Sequence, residues 1–208
     1  MKNNNDFVEI FEQRLCDFTG APYAVAVDRC TNAILLCLEY LRRFGDGTLD
    51  LHTLRIPART YISVPMTLIQ HGYRVTLTDK EWGTAYQIDN TPVWDYAVGF
   101  HEDMYIPGQH QCLSFQQKKR LPIGKGGAIL TDDPVMAANL RRMRHDGRNS
   151  AIPVEQDKHI IFGYHMYMSP DEAAKGILLI NQPLAGYRPG SSARYPDART
   201  IPCLENYV

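Results

Sequence analysis

The sequence predicts an α/β fold in which strand and helix signals alternate, the arrangement that builds a mainly parallel sheet. Three observations carry this. Tyr23 to Val27 is an unbroken apolar run suited to a buried strand. Just before it, Phe7, Ile10, Phe11, Leu15 and Phe18 recur at helical spacing. The chain has 208 residues, 44% hydrophobic and 22% charged, enough for one sizeable core or a domain plus tail.

Asp6 is placed to cap the first helix and Gly20 to stop it. After the Tyr23–Val27 strand come Asp28-Arg29-Cys30-Thr31-Asn32 and a helix over about 33–44. A strand turning directly into a helix leaves free N–H groups and the positive dipole end pointing outward, a phosphate site. Thr31 reads equally as a plain helix cap. Asp46 to His52 is polar loop, and Leu54 to Ala58 a strand. Thr60-Tyr61 leads a helix to about His71, and Tyr73 to Thr78 alternates as a strand should. Pro92 to Ala97 is a strand carrying Asp95. His110 to Phe115 and Ala128 to Thr131 are strands around a lysine-bearing, glycine-rich turn. A helix opens at Pro134 and carries Met136, Leu140 and Met143 on one stripe, and another follows Ser169-Pro170-Asp171-Glu172. Gly186 to Pro202 has no periodicity and reads as an ordered arm or a loose tail.

Bulk numbers narrow the function. Net charge is −1, so no global basic field invites nucleic acid or an anionic membrane. Five cysteines without CxxC spacing argue against a disulfide framework and a structural zinc. His101-Glu102-Asp103 lacks the helical spacing of metal ligands, so no metal is expected. No apolar run approaches the roughly 20 residues of a membrane span, and the N-terminus shows no signal-peptide core. A reducing cytoplasm fits these features.

The chemistry centres on Ser114-Phe115-Gln116-Gln117-Lys118-Lys119, followed by Gly124-Lys125-Gly126-Gly127. A lysine amine with an ordinary pKa of about 10.4 is a poor nucleophile at neutral pH until burial or a nearby cation lowers it. Taken alone, the segment is a solvated basic turn. Asp95 alone is a helix cap or ion-pair partner, and Tyr61 alone an ordinary core aromatic.

Their order is more specific. Arg29-Cys30-Thr31-Asn32, Thr60-Tyr61, Asp95 and the lysine turn together resemble the large domain of the DegT/StrS-type sugar aminotransferases, fold-type I enzymes using pyridoxal 5'-phosphate. Met143 to Arg148 and Gly163-Tyr164-His165-Met166-Tyr167-Met168-Ser169 are similar to later family segments. The resemblance implies a predominantly parallel sheet with helices on both faces, in abridged form. It divides the chain into a cofactor-binding large domain, 1–183, and an irregular C-terminal arm, 184–208.

By the same resemblance Lys119, five residues after Ser114, is the lysine that carries the cofactor. Asp95 pairs with the pyridine nitrogen and Tyr61 stacks on the ring. Cys30, Thr31 and Ser114 hold the phosphate, and His165 reaches the cofactor of a second chain in a homodimer. Several positions depart from the family: Cys30 for glycine, Val98 for a polar residue, Gln116 for a frequent histidine, Lys125 for glutamate, His165 for asparagine and Tyr167 for arginine. Only Lys80 to Asn90 stands where relatives carry further helix–strand units, and from Gln182 on, where relatives continue into a small domain, the resemblance ends. The implied function is transfer of an amino group from glutamate to a nucleotide-linked keto sugar. The alternative is a relative that binds cofactor without turnover and serves as a binding or regulatory subunit. A sheet-and-helix module without cofactor is a third, remote reading.

Overall fold

The computed structural model describes residues 6–182 and 187–207; the boundary expected at 183/184 and the start of the arm at Gly186 lie outside them. Helix α1 (Asp6–Thr19) is followed by β1 (Tyr23–Val27), α2 (Cys30–Phe44), β2 (Thr53–Pro57), α3 (Ser63–Gln70) and β3 (Arg74–Thr78). Then come the short β4 (Tyr86–Gln87), β5 (Val93–Asp95), β6 (His110–Ser114), β7 (Gly127–Thr131), α4 (Pro134–Met143) and α5 (Pro170–Leu179).

The alternation of strand and helix is as the sequence predicts, but the sheet is mixed. Its order is β1-β7-β6-β5-β4, with β2 and β3 forming a separate pair. Only β5·β6 and β2·β3 run parallel; β1·β7, β6·β7 and β4·β5 are antiparallel. The cause is local. The lysine turn folds β7 straight back on β6, and the short Lys80–Asn90 segment returns as β4 along β5 without a crossover helix. A single bridge, Arg55 to Asp89, links the two pieces of sheet.

Helices cover both faces, as expected. Along β1, Val25 and Val27 face a cluster holding Ile34, Leu38, Leu140 and Met143 of α2 and α4. Ala24 and Ala26, one residue out of phase, face Phe11, Leu15 and Ala173 of α1 and α5. The α1 stripe is shifted from the expected one. Val8, Phe11 and Leu15 are buried, while Phe7 and Ile10 lie on the exposed side. Asp133 caps α4 through the Val135 and Met136 N–H groups, and Ser169 with Glu172 forms a capping box on α5.

The arm is ordered where described. Three short 3₁₀ turns, Ser192–Arg194, Ala198–Thr200 and Pro202–Leu204, follow one another. The Ala198 N–H donates to the Ala58 carbonyl just after β2, and the Ser192 N–H to the Trp82 carbonyl. The arm thus lies across the same sheet edge as the abridged Lys80–Asn90 segment.

Candidate active site

The carboxyl ends of β1, β5 and β6 converge on one cavity of about 720 Å³. Its floor is set by backbone approach. A Cβ on Gly127 would stand 2.6 Å from the Cys30 nitrogen and from the Arg29 carbonyl carbon, so only glycine lets β7 lie against the start of α2. Gly124 and Gly126 hold φ of +118° and +133°, values that L side chains rarely adopt. The glycine-rich turn is therefore the intact backbone turn the sequence predicts.

Lys119 is fixed by its turn. Its backbone N–H donates to the Gln116 carbonyl at 2.8 Å, and the Gln116 side chain accepts from the Lys118 N–H at 3.1 Å. Both lysines line the cavity, but Lys118 is exposed and Lys119 half-buried. The Lys119 charge is close enough to favour ionisation of Asp95 and of Cys30.

Asp95 ends β5 and is buried. One carboxylate oxygen accepts from the Ala97 N–H at 2.8 Å and from the Cys30 thiol at 3.8 Å; the other accepts from the Tyr86 hydroxyl at 2.8 Å. Burial pushes the Asp95 carboxyl above its ordinary value, although these contacts and Lys119 act against it. Thr60 meets the Tyr86 hydroxyl in turn at 2.7 Å.

At the phosphate end, Arg29 is the N-cap of α2, and its side chain caps nothing. Thr31 is not the cap: its hydroxyl meets Ser63 at 2.6 Å. The α2 N-terminus therefore opens on the cavity without a side-chain cap, beside Ser114 at the end of β6. The Cys30 side chain turns inward. Its sulfur lies 3.3 Å from the Cys112 carbonyl, and burial raises its thiol well above the ordinary value. It is buried and still lines the cavity at the start of α2. Arg29 pairs with Asp28 at 3.0 Å.

Tyr61 is not core: it is 59% exposed, lines the cavity and meets Tyr195 edge-on at 6.4 Å. Val98 is buried at the position where a polar residue was expected, and its carbonyl accepts from the Tyr187 hydroxyl at 2.9 Å. His165 does not line the cavity of its own chain. Its side chain is 70% exposed, 3.2 Å from Asp146 and edge-on to Tyr167, which in turn stacks on His145. Among the described residues, no cluster of acids, histidines and cysteines is arranged to hold a metal. Among them too, no helix is long and apolar enough to cross a membrane.

Sequence reasoning missed four contributors. Tyr86 and Trp82 sit in the shortened segment, and Arg194 and Tyr195 in the arm; all but the fully buried Tyr86 line the cavity. No motif marks them. Only their contacts across the fold bring them to the site.

A family model described as the DegT/DnrJ/EryC1/StrS aminotransferase family matches residues 2–93 and 106–181. No curated protein matches the chain. Among solved structures, the sugar aminotransferase CalS13 from Micromonospora echinospora is similar at 16% identity and a TM-score of 0.69, with 85% of this chain and 60% of that one covered. PseC from Helicobacter pylori, an aminotransferase involved in the biosynthesis of pseudoaminic acid, is similar at 15% identity and 0.63, covering 85% and 58%. The E. coli GDP-4-keto-6-deoxy-D-mannose-3-dehydratase with bound hydrated PLP is similar at 18% identity and 0.67, covering 85% and 60%. This chain thus spans under two thirds of the length of these neighbours, and the likeness is one of fold.

Proposed function

This chain belongs to the DegT/DnrJ/EryC1/StrS aminotransferase family, and we propose that its cavity binds pyridoxal 5'-phosphate on Lys119 and moves an amino group from glutamate to a keto sugar, nucleotide-linked in its usual substrate. The observation that supports this most is the pairing of a half-buried lysine with a buried carboxylate across one cavity.

The residues fit the cofactor. A carboxylate has about four lone-pair sites. The Ala97 N–H, the Tyr86 hydroxyl and the weak Cys30 donor take three on Asp95, which leaves one for a ring N–H. The uncapped start of α2 with Thr31 and Ser114 suits a phosphate. Tyr61, exposed at the cavity wall, offers its face to a flat ring. When bound, the cofactor supplies an electron sink for the pair freed at the substrate carbon.

The chain's own residues do the rest. Asp95 would accept from the ring N–H, a contact that would add to those favouring its ionised form against burial. The Lys119 amine would take a proton from the donor carbon that gives up its amino group and, in the reverse half, would supply one to the acceptor carbon that receives it. His165, exposed beside Tyr167, serves the cavity of a second copy in a homodimer, each chain being one large domain, 1–183, with an irregular arm, 184–208. The working compartment is the cytoplasm.

The test is spectroscopic. Added pyridoxal phosphate should give a visible band that Lys119→Ala abolishes, and L-glutamate should then shift it. A band that glutamate leaves in place would favour the second reading, a cofactor-binding relative without turnover. The apolar Val98 wall speaks for that reading. No band at all would contradict both.

A further inference from the structure

The cavity carries more positive charge than its phosphate end requires. Six of its lining residues are cationic, Arg29, Lys118, Lys119, Lys125, Arg188 and Arg194, and Asp95 is the only acid among them. Lys119 is committed to the cofactor and Arg29 to Asp28. Lys118, Lys125, Arg188 and Arg194 have no acidic partner among the described residues. A phosphate monoester carries about −1.5 to −2 at neutral pH, and the α2 N-terminus already meets it.

Two of the four free cations come from the arm, and the arm is held in place by named contacts. The Tyr195 carbonyl accepts from the Arg59 guanidinium at 3.1 Å. The Tyr195 ring lies 5.6 Å from Trp82, tilted by 32°, and 6.4 Å from Tyr61. The Trp82 indole N–H donates to the Arg59 carbonyl at 2.8 Å. Trp82 also packs on Tyr86, the residue bonded to Asp95. The Tyr195 hydroxyl has no hydrogen-bond partner among the described residues. Tyr195 lines the cavity, where burial raises its pKa and the Asp95 charge adds to the rise.

We propose that the segment 187–195 forms the substrate-side wall of this site, with Arg194 as the contact for a diphosphate group on the amino acceptor and Tyr195 as the anchor that holds Arg194 there. This rests on the reading of the cavity given above. A diphosphate fits better than a lone carboxylate because four cations without an acidic partner line the one cavity, Lys118 and Lys125 from the lysine turn and Arg188 and Arg194 from the arm. Tyr195 is a positioning residue, wedged between Tyr61 and Trp82; its hydroxyl is not needed for the wedge.

The test uses the full chain loaded with pyridoxal phosphate and titrated with inorganic pyrophosphate by calorimetry. Arg194→Ala should weaken binding about tenfold or more, the factor for one lost charge-assisted contact. Tyr195→Ala should lose a similar factor although the arginine remains, and Tyr195→Phe should restore wild-type affinity. Arg148→Ala, on the α1–α4 side of the molecule, should change nothing. Glutarate, which mimics the donor's carboxylates, should bind Arg194→Ala and the wild type alike.

A normal visible band with equal pyrophosphate affinity in the wild type and Arg194→Ala overturns this inference alone. So does a loss confined to glutarate. Tyr195→Phe as weak as Tyr195→Ala overturns the anchor. A wild-type chain without any visible band overturns the cavity reading and this inference with it.

Discussion

The Tyr86 hydroxyl donates to the Asp95 carboxylate at 2.8 Å, and the two residues stand opposite each other in the β4·β5 ladder. A short antiparallel return strand therefore supplies the partner of the one acid in the cavity. Tyr86→Phe removes a buried hydrogen bond to a charged group, a loss of about 1.5–3 kcal/mol. Urea unfolding of the cofactor-free chain should show that loss as a lower midpoint with unchanged slope. An unchanged midpoint would mean the bond contributes nothing.

Burial works against the charge on Asp95. Its folded carboxyl pKa lies above the ordinary 3.8, so the folded state binds the proton more tightly than the unfolded one. The cost to stability is full above the folded pKa and fades as pH falls toward 3.8. Asp95→Asn, of the same shape, should raise the melting temperature of the cofactor-free protein at pH 7, with the gap closing in acid. The same variant should keep a visible band with added pyridoxal phosphate but lose its shift on adding L-glutamate. A lower melting temperature at pH 7 would show that the hydrogen bonds to Asp95 outweigh its burial.

His110 sets the acid side of the stability profile. It is buried at the start of β6, 3.1 Å from the Thr131 hydroxyl, and burial holds its imidazole below the ordinary 6.5. The unfolded chain takes up this proton first, so stability falls as pH drops through about 6.5. His145, also lowered by burial, adds to the same slope. His110→Gln should flatten the fall between neutral pH and the folded pKa, read as melting temperature against pH. An unaltered slope would assign the acid sensitivity elsewhere.

Gly127→Ala tests the floor of the site. The added methyl meets the backbone of Arg29, Cys30 and Leu113 at 2.6–2.7 Å, and backbone cannot rotate away as a side chain does. Overpacking of this kind costs about 1–3 kcal/mol. The expected result is a lower melting temperature together with weaker cofactor binding, because the displaced element is the N-terminus of α2. Retained affinity would detach the phosphate site from that helix.

Residues with a local signature were legible in the sequence. Lys119, Ser114 and the glycines read from one turn, and Asp95 and Tyr61 from strand ends, because each follows its own element out of the sheet. Of the two readings of Thr31, the helix cap is overturned, since its hydroxyl meets Ser63, a contact that joins positions far apart in the chain. The sheet directions were legible only in part. Whether a connection crosses over or folds back depends on its length, and the Lys80–Asn90 return is too short for a crossover. Tyr86, Trp82, Arg194 and Tyr195 were not legible at all. Their roles arise where the shortened segment meets the arm, a contact between residues more than a hundred positions apart.

One amine, that of Lys119, is the proposed point of attachment for the cofactor. Mass spectrometry after borohydride reduction of the chain with pyridoxal phosphate tests it most directly. A single reduced-cofactor mass increment is expected on the peptide containing Lys119, absent in Lys119→Ala. An increment fixed on Lys118 or Lys125 instead, or none on any lysine, would contradict it.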